Sequence, residues 1–183
     1  MSYFTDDEFR CSCGCERSEM QPEFVELLNT IREDFGKIEW NHWLGMRFNL
    51  KLSYEEGEGL IERWDWSVNR QMIGPRFNKK SNLHRRMVWF GCMGYDTQDL
   101  LHIHLNVQTP LDWNTGRFRV ECRESFSRLV EKGTVHFSVS DFTEWDRQNM
   151  VDYTTKFGHL GTDESGLLDT SSVVVSRNIE LVL

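Results

Sequence analysis

Long apolar runs, proline and an even set of cysteines are what this sequence is short of, and each shortage closes off a class of protein. No stretch of some eighteen apolar residues occurs, so no segment reads as a membrane-spanning helix. Only three prolines stand in the chain, while 39% of residues are hydrophobic and 13% aromatic, a composition that builds a core. The five cysteines are an odd number: Cys11, Cys13 and Cys15 crowd together, whereas Cys92 and Cys122 stand alone. That is not a secreted disulfide framework, and it points to a reducing cytoplasm. Met1–Arg10 is too acidic to read as a signal peptide. An excess of base is missing too. The net charge is −8, which at first sight speaks against a nucleic-acid partner.

That charge is uneven. Residues 1–39 hold ten of the 29 acids and four of the 21 bases, leaving 19 acids and 17 bases, a net of −2, for residues 40–183. Between 63 and 86 the balance inverts: Arg63, Arg70, Arg76, Lys79, Lys80, Arg85 and Arg86 face only Asp65. The acidity thus belongs mainly to the N-terminal segment, and the charge of the remainder does not exclude an anionic ligand.

Periodicity places the elements. Proline at the first turn, with Phe24, Leu28, Ile31 and Phe35 at helical spacing and Gly36 beyond, predicts a helix over Pro22–Phe35. His42–Leu52 reads as a strand. Ser53 and Glu56 form a capping box ahead of a stripe of Leu60, Ile61, Trp64, Val68 and Met72, and Gly74-Pro75 closes that second helix. Arg76–Arg85 is a basic loop. Arg86–Met93 and Leu100–Gln108 are strands joined by a polar turn, Phe118 to Leu129 marks a third helix, and Thr134–Ser140 alternates as a strand. Asp141 and Glu144 open a fourth helix to Phe157, and Ser171–Ser176 is a last strand. The order predicts an α+β fold, a mainly antiparallel sheet with helices packed on one face. Three parts are expected: an acidic, Cys-containing helical extension (1–39), the sheet domain (40–158) and a tail (159–183).

The chemistry-bearing stretch is Leu101-His102-Ile103-His104-Leu105-Asn106-Val107-Gln108. Strict alternation puts both imidazoles on one face, two residues apart, where they can share a divalent ion. A solvated outer strand would show the same spacing. Further on, Tyr153 and Lys156 lie three apart on the fourth helix, so an ammonium sits beside a phenol.

In this order, His-hydrophobe-His on a strand and then Tyr-x-x-Lys on a helix resembles the HUH-type single-strand DNA endonucleases. These comprise rolling-circle replication initiators (Rep proteins) of phages, plasmids and small DNA viruses, with relaxases and single-tyrosine transposases. The resemblance runs from about His42 to Gly158, and Ser53–Arg86 looks closest to phage and plasmid initiators. It implies an RRM-like sheet in which His102 and His104 bind Mn²⁺ or Mg²⁺. It further implies that Tyr153 attacks the scissile phosphate to give a 5′-phosphotyrosine, and that Lys156 neutralises that phosphate. Single-stranded DNA, as an origin sequence or hairpin, is the implied partner. With no nucleotide-binding loop in the chain, unwinding is expected to need a separate helicase.

The third metal ligand usual in that family is not evident: Arg86–Met93 has no acid, and Asp96, Asp99 and Gln108 stay open as candidates. Arg76, Lys79, Lys80, Arg85 and Arg86, with Trp64, Trp66 and Phe77 nearby, suit a single-stranded DNA groove. A non-catalytic DNA-binding protein derived from the same fold is the alternative. Residues 3–36, with Cys11-Ser12-Cys13-Gly14-Cys15, also resemble the opening of phage zinc D-Ala-D-Ala carboxypeptidases. The metal-binding residues of those enzymes have no counterpart here, so no peptidase activity is implied; a zinc-thiolate role for the three cysteines stays open.

Overall fold

The computed structural model describes residues 22–96, 98–138, 151, 154, 161–162, 168–169 and 172–179. In chain order the elements are α1 (Pro22–Phe35), β1 (His42–Arg47), α2 (Tyr54–Ile73), a short 3-10 helix (Lys80–Arg85), β2 (Val88–Tyr95) and β3 (Leu101–Gln108). They continue with α3 (Thr115–Leu129), β4 (Thr134–Ser138), β5 (Gly161–Thr162), β6 (Leu168–Asp169) and β7 (Val173–Val175). Strands order as β4-β1-β3-β2-β7, every neighbouring pair antiparallel, and β5 pairs with β6 apart from them. The fold is α+β, and β1-α2-β2-β3-α3-β4 with β1 and β3 central is an RRM-like order.

Local chemistry sets the helix ends. Ser53 accepts from the Glu56 amide at 3.2 Å while the Glu56 carboxylate accepts from the Ser53 amide at 2.8 Å, closing the capping box at the start of α2. Asn114 caps α3 through the Arg117 amide. The β2–β3 turn is held by Asp96, whose Oδ1 accepts from the amides of Gln98 and Leu100.

The two faces of the sheet are covered differently. Leu60, Ile61, Trp64 and Val68 of α2 and Phe118, Cys122 and Phe126 of α3 bury one face. They pack on Leu44, Met46, Trp89, Met93, Leu101, Ile103, Leu105, Val107 and Val135. Gly57 and Gly91 permit the closest approaches: a Cβ on Gly91 would lie 2.7 Å from the His104 carbonyl oxygen. The opposite face is covered over β2 and β7 by a second cluster, in which Phe35, Ile38, Trp40, Val151 and Ile179 pack on Val88, Phe90 and Cys92. Phe35 stacks on Phe90 at 4.4 Å between ring centroids. The end of α1 therefore packs directly on the sheet.

Several element bounds differ from those the sequence predicts. β1 ends at Arg47, because Asn49 takes a positive φ of 54° and donates to the Lys132 carbonyl. β2 starts at Val88, because Arg86 and Met87 are held by α2. The basic loop contains the unforeseen 3-10 turn. Of the expected fourth helix, only Val151 and Thr154 are described; both are helical and buried.

Candidate functional site

β3 is the middle strand of five, and its alternation is set by its sequence: Leu101, Ile103, Leu105 and Val107 face the helices, so His102, His104 and Asn106 share the opposite face. The two imidazoles are neighbours, with ring centroids 5.2 Å apart and planes at 81°. They are not a solvated outer row: His102 is 3% exposed, His104 6% and Asn106 0%. Burial, with the charges of His102 and Arg47 adding, pushes the His104 pKa down to about 3, so this ring is neutral near pH 7. A neutral imidazole is the form that ligates a metal.

The strand partners supply what surrounds the pair. In register, Gly45 and Cys92 flank His104, and Arg47 and Gly94 flank His102. Trp43 stacks on His104 at 5.1 Å, leaning over the space that Gly45 leaves: a Cβ there would meet the Trp43 ring at 3.3 Å. Arg47 lies 3.7 Å from the Asp96 carboxylate. His136 of β4 faces the same way across Gly45 but is exposed. Sequence reasoning missed Trp43 and Arg47 as neighbours of the pair, and a glycine inside a strand was the one available signal.

The residue types fit a divalent ion in part. Two adjacent imidazoles are suitable donors, but among the described residues no group of three His, Cys, Asp or Glu side chains is close enough to hold one. Of the three open candidates, Asp96 is committed to two backbone amides and to Arg47, Asp99 pairs with Lys51 at the surface, and Gln108 lies at the far end of β3. Tyr153, Lys156, Cys11, Cys13 and Cys15 lie outside the described residues. Thr154, next in sequence to Tyr153, accepts from Asn106 Nδ2 at 3.1 Å, on the same face as the histidines.

The basic residues are elsewhere. β2 and β3 are antiparallel with Val88 opposite Gln108, so the loop leading into Val88 lies at the end of β3 remote from His102. At about 3.4 Å per residue that separation is roughly 20 Å. Arg76, Lys79 and Lys80 are exposed there, and Arg85 lies 3.7 Å from Asp112. Arg86 differs: its Nη2 donates to Asp65 at 2.7 Å with only 12% of the side chain exposed, so its charge is matched inside the fold. Trp64 is fully buried and donates to the Cys122 carbonyl, and Phe77 is buried as well, whereas Trp66 is 47% exposed. His42, on the helix-covered face, packs its ring on Phe118 at 4.8 Å and meets Thr109 Oγ1 at 3.3 Å, a structural position.

Comparison with family models, with curated proteins and with solved structures gave no match. No described helix is long and apolar enough to cross a membrane.

Proposed function

We propose that this chain nicks and rejoins single-stranded DNA by HUH-type chemistry, as an initiator of rolling-circle replication acting in a bacterial cytoplasm. The observation that carries the reading is the adjacent His102–His104 pair on the central strand of an RRM-like sheet. The Thr154–Asn106 hydrogen bond supports it, because it anchors the sequence neighbour of Tyr153 on that same face.

His102 and His104 would hold Mn²⁺ or Mg²⁺, which supplies Lewis-acid polarisation of the scissile phosphate. Tyr153 is the proposed nucleophile. Its phenol oxygen bonds to phosphorus as the bond from phosphorus to the 3′-oxygen breaks; the phenol proton is lost and the 3′-oxygen gains one, leaving a free 3′-hydroxyl. Lys156 offsets the charge on the phosphate, and Arg47, in register with His102, adds a second cation beside the pair. The strand remains linked as a 5′-phosphotyrosine, ready for rejoining, while the 3′-end primes synthesis; a separate helicase would unwind the duplex. A single-tyrosine transposase would use the same steps.

A second reading is favoured by the near-complete burial of both imidazoles and by the missing third ligand among the described residues. It is a DNA-binding protein of this fold without catalysis. A covalent-adduct assay separates the two: protein, Mn²⁺ and a labelled single-stranded pool of random sequence, resolved on a denaturing gel. A shifted band lost in Tyr153→Phe, in His102→Ala and in EDTA supports nicking. Absence of any band while the pool still binds supports the second reading.

A further inference from the structure

The exposed aromatic corner on α2 has no part in the chemistry above. Trp66 is the one tryptophan of α2 that the core does not take: Trp64 is inside, and Trp66 is 47% exposed. Its ring is nonetheless fixed in place. Phe77 meets it edge-on at 5.4 Å between centroids, and the Arg70 guanidinium, one turn along the helix, lies 5.0 Å from the ring centre. Phe77 is itself buried, with the Arg86 guanidinium over its ring at 5.5 Å. The turn from Gly74 to Asn82 closes on this anchor through the Phe77 amide to the Gly74 carbonyl, the Lys79 amide to the Arg76 carbonyl and the Asn82 amide to the Lys79 carbonyl. The loop is thus pinned to α2 beside the tryptophan.

Charge concentrates around this corner. No acid occurs from residue 66 to residue 95. Three described acids near it are matched within the fold: Asp65 by Arg86, Glu62 by a two-pronged contact with Arg177, and Asp112 by Arg85. Arg63, Arg70, Arg76, Lys79 and Lys80 are all exposed, and none of them forms an ion pair with an acid among the described residues. Among the described residues of a chain with net charge −8, five exposed cations without an acid partner thus lie on α2 and in the loop pinned to its end, on both sides of Trp66 in sequence.

We propose that this corner is a binding site for single-stranded nucleic acid, separate from the histidine pair and working without metal. Cations take the phosphates, and Trp66 stacks on an unpaired base, the combination that single strands offer at every nucleotide. A duplex keeps its bases stacked on one another, so it does not satisfy the tryptophan. The corner belongs to the helix-covered side of the sheet and the histidines to the opposite side. The site therefore holds flanking strand and not the phosphate that would be cut, and it stands whether or not the chain nicks DNA.

The test is fluorescence anisotropy of a labelled fifteen-nucleotide oligothymidine in EDTA across a salt series. Wild type is expected to bind, Trp66→Ala to bind about tenfold more weakly and Trp66→Phe to retain most of the affinity. Lys79→Gln with Lys80→Gln is expected to reduce the slope of log K against log salt by about 1.4, the loss of two phosphate contacts on a single strand. Circular dichroism checks that each variant is folded. The proposal is overturned if wild type fails to bind at low salt, or if affinity is indifferent to both Trp66→Ala and the lysine pair. It is overturned as well if a polyglutamate peptide displaces the oligonucleotide at equal concentration, which would assign the corner to acidic protein segments. Because no metal is present, an absent covalent adduct counts against nicking alone, and Trp66-independent binding counts against the corner alone.

Discussion

Asp65 is the one acid of the basic stretch, and removing it should unfasten the link between α2 and β2. Its carboxylate accepts from Arg86 Nη2 at 2.7 Å, from Trp89 Nε1 at 2.9 Å and from Asn69 Nδ2 at 3.0 Å, while Asn69 Oδ1 in turn accepts from the Met87 amide. Burial raises the carboxyl pKa even against the pull of Arg86 and these donors, so desolvation absorbs much of the attraction. Asp65→Ala leaves a guanidinium only 12% exposed without its counter-charge, and a broken buried pair of this kind costs about 3–5 kcal/mol. Arg86→Met should cost less, about 2–3 kcal/mol, because Trp89 and Asn69 continue to solvate the carboxylate. The double variant removes both charges and leaves two neutral donors to satisfy, for a loss of about 3–4 kcal/mol instead of the sum. Urea denaturation with a shared m-value would measure this cycle, with an expected coupling of about 2–4 kcal/mol. Additive losses, or an Asp65→Ala cost below about 1 kcal/mol, would refute the argument. Arg86→Met should also leave the salt dependence of oligonucleotide binding unchanged, since Arg86 is held by Asp65.

Two further outcomes follow from the packing. Burial, aided by Arg119, lowers the His42 pKa from 6.5 to about 4. Between those values the unfolded chain binds a proton that the folded one refuses, so stability falls as the pH drops from 6.5 to about 4, by about 2 kcal/mol after allowance for solvent screening. Urea melts across that range should show a steeper pH dependence for wild type than for His42→Gln; parallel curves would rule the ring out as the source. Gly91→Ala places a methyl group 2.7 Å from the His104 carbonyl oxygen and against Leu105, so β2 and β3 must shift apart. A loss of about 1–3 kcal/mol is expected in the same assay, and a neutral result would show that the strands have room to spare.

What the sequence makes legible here is local. The capping box at Ser53 and Glu56, the α1 span and the alternation of β3 depend on neighbours within a few residues, and each appears as read. What it hides is long-range. Arg86 reads as a cation for a single-stranded DNA groove until Asp65, 21 residues earlier, is seen to hold it. The histidine row fits either a metal pair or a solvent face when read by periodicity alone, and its near-complete burial is not reported by any pattern within β3. Trp43 and Arg47 become neighbours of the pair only through the β1–β3 register.

Placing that row in the interior is a costly choice, and the cost can be used as a test. On the same face, β2 supplies Phe90 and Cys92 to the second cluster, whereas β3 supplies His102, His104 and Asn106. Buried polar groups contribute less than apolar ones of equal size unless they are well bonded, so positions that break the pattern mark function or a structural bond. His104→Leu distinguishes these, because it keeps the volume and removes the nitrogens. A metal-binding role predicts that His104→Leu loses under about 1.5 kcal/mol in EDTA, mostly the Trp43 stack. It also predicts that Mn²⁺ at about a hundred times its dissociation constant stabilises wild type by about 2.7 kcal/mol and the variant not at all. A structural role predicts the reverse: no effect of Mn²⁺ on wild type and a loss above about 2 kcal/mol in the variant, the penalty for a buried hydrogen bond removed. Thermal melts with and without Mn²⁺ therefore decide why two imidazoles occupy the centre of this sheet, independently of any DNA substrate.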